Sequence, residues 1–220
     1  MPVLTICSLK GGTGKSTIAL NLASALSTSE RQALVIDVDP QGTVAEWQKI
    51  SKQEEPTIMV HAIADLHEQI HKAGPAFGLF IIIDTPPASA EAIRSAIMAA
   101  DRLILPVTPG MADVWSTEKL LEMYHEAKRY KPALEARLLI NRVDYRTKLG
   151  QTFRAFLVDR FGLDMADNLD LDIFKTEITS RAAFSKAYIL GLTIDNYEPT
   201  GKGATEFKRL AKEVLSWQGN

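Results

Sequence analysis

The segment Lys10-Gly11-Gly12-Thr13-Gly14-Lys15-Ser16-Thr17 constrains this chain more than any other. It follows a short apolar run rich in β-formers, Val3 to Ser8, and precedes Ile18, Leu22, Ala25 and Leu26, which recur at helical spacing. That order reads as strand, glycine loop, helix. Glycines let backbone N–H groups converge on phosphate oxygens without interference from Cβ, and the positive N-terminal end of the next helix adds to the attraction. In such a loop Lys15 reaches the β- and γ-phosphates, and the Ser16 hydroxyl binds Mg2+. The general pattern places a glycine five residues before Gly14, where this chain has Leu9. Gly11, Gly12 and Gly14 keep the loop, and Lys10 adds a second charge.

Two further apolar runs end in acids. Ala33 to Ile36 leads into Asp37-Val38-Asp39-Pro40-Gln41-Gly42, and Leu79 to Ile83 leads into Asp84-Thr85-Pro86-Pro87. Arg102 to Val107 and Ala136 to Ile140 are runs of the same kind. Continuous apolar runs without alternation mark strands buried on both faces, as in a parallel sheet covered by helices. Between them, Ala90 to Ala100 and Ser116 to Tyr130 have helical spacing, so the chain alternates strand and helix. The expectation is a single α/β domain over residues 1–220, a twisted, mostly parallel sheet flanked by helices on both faces. Ligands of such sheets gather at the carboxyl ends of strands. Asp84 is therefore the candidate for holding Mg2+, while Asp37 and Asp39 are candidates for supporting the metal and orienting an attacking water.

Charge and cysteine content narrow the classes. The 25 Lys and Arg against 27 Asp and Glu leave a net charge of -2, which removes any whole-molecule argument for nucleic acid. The single Cys7 cannot form an internal disulfide, and cysteine-ligated metal clusters are excluded with it. No stretch reaches the ~18 apolar residues of a membrane span, and no basic region precedes the first strand, so the expectation is an unsecreted, cytoplasmic chain. His67 and His71 stand four apart on an expected helix, but no third metal ligand accompanies them.

The glycine loop, the two acid-ended strands, Leu105-Pro106-Val107-Thr108-Pro109, Leu139-Ile140-Asn141-Arg142, Ile178-Thr179-Ser180-Arg181 and Gly203-Ala204 together resemble the ParA/MinD family of deviant Walker ATPases. The likeness covers nearly the whole chain and is nearest to the small plasmid-type ParA partition ATPases. It implies the P-loop NTPase fold, ATP and Mg2+ as ligands, and slow ATP hydrolysis. It further implies that Lys10 is the signature lysine, reaching across an ATP-dependent homodimer to the partner's phosphates. By the same resemblance Asp39 orients the hydrolytic water, Asp37 supports the magnesium, Thr17 contacts the α-phosphate, and Asn141, beside Arg142, meets the adenine.

The family divides over what the switch acts on. No helix-turn-helix fits before a loop that begins at residue 10, so operator reading is not expected. A MinD-like membrane-surface role is the alternative, because Phe207, Leu210, Val214 and Trp217 form an apolar stripe with Lys208, Arg209 and Lys212 between them. The preferred reading packs that stripe on the sheet. Non-specific DNA binding needs clustered cations to neutralise phosphates. From Lys128 to Arg160 nine Lys or Arg face three acids, a local +6, and a second set comprises Lys175, Arg181, Lys186, Lys202, Lys208, Arg209 and Lys212. The resemblance favours the second set. It implies a nucleoid-associated ATPase that segregates or positions a cargo with a ParB-type partner stimulating hydrolysis.

Overall fold

The computed structural model describes residues 2–39, 42–53, 56–60, 66, 70, 79–87, 89–163 and 171–217. Eight strands lie in it: β1 (Val3–Ile6), β2 (Gln32–Asp37), β3 (Thr57–Val60), β4 (Leu79–Asp84), β5 (Arg102–Val107), β6 (Glu135–Val143), β7 (Leu171–Ile173) and β8 (Ile178–Thr179). They form a sheet in the order β3-β2-β4-β1-β5-β6-β7, with β8 also paired to β6. Every pairing between these strands is parallel. The five runs expected as strands are all present. β3, β7 and β8 were not anticipated; each has four residues or fewer, too few to leave a periodic pattern.

The helices are α1 (Lys15–Leu26), α2 (Thr43–Ile50), α3 (Ala90–Ala99), α4 (Met111–Lys128), α5 (Lys148–Phe161), α6 (Ala182–Ile189), α7 (Ile194–Tyr197) and α8 (Lys202–Ser216). Residues of one strand alternate between two covered faces. Leu4 and Ile6 pack with Leu22, Leu26, Phe207 and Leu210 of α1 and α8, while Val3 packs with Ala96 and Ala99 of α3. Cys7, just beyond β1, joins Ile93, Ile97, Leu120 and Tyr124 of α3 and α4. The sheet is therefore flanked by helices on both faces, as expected.

Phe207, Leu210, Val214 and Trp217 are all buried. Burying each such side chain contributes roughly 1.5–3 kcal/mol, so the stripe on α8 belongs to the core. Trp217 is further held edge-on to Phe174 at 5.4 Å, with the Arg137 guanidinium 4.6 Å from its ring centre. Among the described residues no helix is long and apolar enough to cross a membrane.

Pro106 lies in a central strand, where its missing N–H ordinarily costs a ladder bond. Here β1 has already ended. Cys7 N donates to Ile104 O at 3.2 Å, and two residues further along β5 the same edge faces the glycine loop. The proline thus stands where the sheet gives way to the site.

Candidate functional site

The loop after β1 is shaped by glycine. Gly12 and Gly14 have φ of 77° and 91°, in the left-handed region that other residues enter at a cost. Gly14 is also the N-cap of α1, and no side chain caps that helix. A Cβ on Gly14 would stand 2.4 Å from Asn141 Nδ2, which itself donates to Thr13 O at 2.6 Å. Asn141 therefore buttresses the loop directly.

The two lysines of the loop are held differently. Lys15 is buried, and its ammonium lies 3.4 Å from the Lys10 carbonyl. Burial draws its pKa down, with Asp84 and then Asp39 opposing that shift. The Lys10 side chain is half exposed and forms an ion pair with Asp113, on the first turn of α4. The helical spacing in the sequence begins only at Ser116, whereas the helix itself starts at Met111.

The strand register sets the acids side by side. Asp37 and Asp84 end β2 and β4 as direct partners, and Ile6 of β1 lies opposite Asp84. Asp84 is fully buried, and neither carboxylate oxygen has a hydrogen-bond partner of good geometry among the described residues. Burial pushes its pKa from 3.8 to about 7; the nearby Ser16 hydroxyl draws it back and the Asp37 charge adds to the rise. Asp37 is equally buried but is satisfied. Its Oδ1 accepts from Asp39 N and its Oδ2 from Val44 N and Ala45 N, each at 3.0 Å. The Asp37 carboxylate thus caps α2 and fixes the backbone of Asp39. Its pKa is raised by burial, with those backbone bonds opposing. Asp39 is buried as well, and its carbonyl accepts from Gly42 N at 2.8 Å.

A cavity of about 530 Å³ opens beside the loop, lined by Gly14, Thr17, Thr43, Asn141, Arg142, Ile178, Thr179, Ser180, Arg181, Phe184, Ser185, Tyr188 and Ile189. Arg142 has a φ of 55° and sits at an irregularity in the pairing of β6 with β8. Non-glycine residues rarely hold that conformation, and bulges recur where a strand must re-aim a side chain at a site. Tyr188 OH donates to Thr43 O at 2.7 Å, tying α6 to the first turn of α2. Burial, and after it the Asp37 charge, pushes the Tyr188 phenol up. Thr43, Phe184 and Tyr188 were not anticipated. Phe184 and Tyr188 stand four apart on α6, a spacing that marks one helix face but not what that face meets.

The basic residues expected to meet DNA separate into three groups. Arg181 lines the cavity and pairs with Glu206 at 2.6 Å, so its place is beside the phosphate loop rather than on an outer surface. Lys208 is offset by Asp195 at 2.6 Å. Lys175, Lys186, Lys202, Arg209 and Lys212 are exposed and have no ion-pair partner among the described residues. The +6 stretch is largely neutralised by acids elsewhere: Arg137 pairs with Asp172, Arg154 with Glu177 and Arg160 with Glu118. His67 and His71 lie outside the described residues, and within these no group of three or more His, Cys, Asp or Glu could hold a metal ion.

The arrangement suits a polyphosphate with a cation. Buried oxygens of Asp84 and Thr13 have no hydrogen-bond partner of good geometry among the described residues, the loop approaches through glycine, and a buried lysine lies beside Asp84. Fold and site together define a P-loop nucleotide-binding protein. Residues 4–194 match the CobQ/CobB/MinD/ParA nucleotide binding domain, and the chain belongs to that family. It is 30% identical to the Maintenance of carboxysome distribution protein A of Gloeobacter kilaueensis, with 96% of this chain and 93% of that protein covered. The Chromosome-partitioning ATPase Soj of Thermus thermophilus is 26% identical, over 97% and 95% of the two chains. In fold it is similar to the septum site-determining protein MinD of Pyrococcus horikoshii, solved with Mg-ADP, at a TM-score of 0.74 and 22% identity over 98% and 97% of the chains.

Proposed function

We propose that this protein is an ATP-driven dimerising switch that binds DNA non-specifically and segregates or positions a cargo, with an adaptor of ParB type stimulating hydrolysis. The observation that carries this reading is the unequal treatment of two lysines in one loop. Lys15 is buried beside Asp84, where it serves the phosphates of its own site. Lys10 is half exposed, which leaves it able to serve the phosphates of a second subunit.

The site's groups divide the work. Glycine-loop N–H groups and Lys15 would bind the phosphates, Thr17 the α-phosphate, and Asn141 and Arg142 the base. Ser16 and Asp84, with Asp37 behind them, would hold Mg2+, whose contribution is to neutralise phosphate charge as it develops. Asp39, on a backbone fixed by Asp37, would orient the attacking water. A carboxylate that only orients water is a weak base, which supports a slow basal rate suited to a timer. Relatives named for carboxysome distribution and for chromosome partitioning support a positioning role and leave the cargo open. The buried stripe of α8 offers no apolar face to lipid, which favours DNA over a membrane surface.

Light scattering with a non-hydrolysable ATP analogue tests the switch. Wild type should dimerise only with the analogue, and Lys10→Ala should bind it as a monomer. Asp39→Ala should bind ATP and dimerise without hydrolysis. Dimers formed without nucleotide, or equal binding of random duplex DNA with and without ATP, would remove the switch.

A further inference from the structure

Asp113 is buried, at 4% side-chain exposure, on the first turn of α4. Its Oδ2 accepts from Lys10 Nζ, and its Oδ1 accepts from the Thr108 hydroxyl at 2.7 Å. Its backbone is fixed too: the N–H donates to Gly110 O at 3.1 Å, and the carbonyl accepts from Thr117 Oγ1 at 2.9 Å. The carboxylate is therefore anchored by the fold, and the lysine comes to it. Lys10, at 44% side-chain exposure, is the exposed partner of the pair.

A buried carboxylate keeps its charge at low cost only in company. With Lys10 turned away, the Asp113 side chain would retain Thr108 as its one hydrogen-bond partner among the described residues. Lys10 can reach another molecule's phosphates only by leaving this pair. A symmetric dimer needs two such departures, one from each subunit, so whatever one departure costs enters the dimer equilibrium twice.

We propose that Asp113 is a positioning residue that holds Lys10 within its own subunit and thereby sets the concentration at which ATP-bound subunits pair. The inference rests on Lys10 acting across the subunit interface. Asp113→Asn weakens the hold while leaving an oxygen to accept from Thr108. A hydrogen bond to a charged group accounts for about a tenfold preference or more per subunit, hence up to roughly a hundredfold in the dimer dissociation constant.

The test is light scattering across protein concentrations with Mg2+ and the non-hydrolysable analogue. Asp113→Asn should reach half-dimer at roughly ten to a hundred times lower concentration than wild type, with nucleotide affinity of the monomer changed less than about twofold. In a Lys10→Ala background, which stays monomeric, the same substitution should leave nucleotide affinity unchanged, a result that a merely structural Asp113 would not give. If Asp113→Asn pairs no more readily than wild type while Lys10→Ala fails to pair, the restraint is wrong and the cross-subunit role of Lys10 stands. If Lys10→Ala pairs as wild type does, that role fails and takes the restraint with it. Should Asp113→Asn not fold, amine acetylation of the nucleotide-free wild type decides: Lys10 should react several-fold more slowly than exposed Lys52, and equal rates would overturn the proposal.

Discussion

The carboxyl ends of β2 and β4 and the surface around α8 are both rich in charge, and they are built in opposite ways. At the strand ends, Asp84 is fully buried, neither oxygen has a hydrogen-bond partner of good geometry among the described residues, and burial raises its pKa to about 7. Around α8 the acids are matched. Glu206 accepts from Thr179 Oγ1 at 2.8 Å and from Arg181 Nη2 at 2.6 Å, while Glu213 accepts from Lys175 N at 2.8 Å and Thr176 N at 2.7 Å. Polarity left unsatisfied in the interior marks a place kept for a ligand; polarity satisfied at the surface marks structure. Any DNA-binding charge near α8 must therefore come from what the ion pairs leave over, chiefly Lys175, Lys202, Arg209 and Lys212, with Lys186 on α6.

The contrast can be broken or sharpened by substitution. The largest effect is expected at Gly14→Ala, where the new Cβ meets Asn141 and the backbone sits at positive φ. Folding stability should fall by roughly 1–3 kcal/mol, and calorimetric titration should find nucleotide affinity lost by more than about a hundredfold. Asp84→Asn should do the reverse for stability. In the folded, ligand-free protein Asp84 holds a proton that the unfolded chain has released, so stability falls as pH rises from about 4 to about 7. Denaturant titrations across that window should show most of the fall removed in Asp84→Asn, a gain of up to about 4 kcal/mol above pH 7, alongside lost hydrolysis. A variant no more stable than wild type would mean Asp84 has partners in solution.

Glu206→Ala strands Thr179 and Arg181 and should cost roughly 2–3 kcal/mol in thermal unfolding, with DNA affinity nearly unchanged. The smallest effect is at the leftover cations. Lys202→Glu with Arg209→Glu should lower DNA affinity of the ATP state about tenfold near 0.1 M salt. Lys208→Glu should do less, because Asp195 already offsets that charge; equal losses at all three would erase the distinction between paired and unpaired cations.

What could be read from the chain alone was whatever is local. A glycine loop between a β run and a helical run, and acids that end apolar strands, are patterns within a dozen residues, and they found Lys15, Asp37 and Asp84 together. Contacts across the sheet left no such trace. Asp113 meets Lys10 only because the loops after β1 and β5 end on one edge, and its turn of α4 falls before the helical spacing becomes regular. The +6 stretch carries less free charge than its count implies, because Asp172, Glu177 and Glu118 lie outside it in sequence and beside it in space. Arg181 looked like one more surface cation because nothing nearby shows that α6 begins at the cavity wall.

The position of β1 also governs when the site can exist. Leu4 pairs with Ile82 on one side and Arg102 on the other, and α1 packs on α8 from the far end of the sequence. The first strand therefore depends on partners distant in sequence on both sides, and closing such distant contacts is what makes a topology slow to fold. The phosphate loop takes shape only when both neighbours are present. Nucleotide should therefore act as a latch on a finished sheet, and unfolding rates measured with and without it should fall far more than folding rates rise.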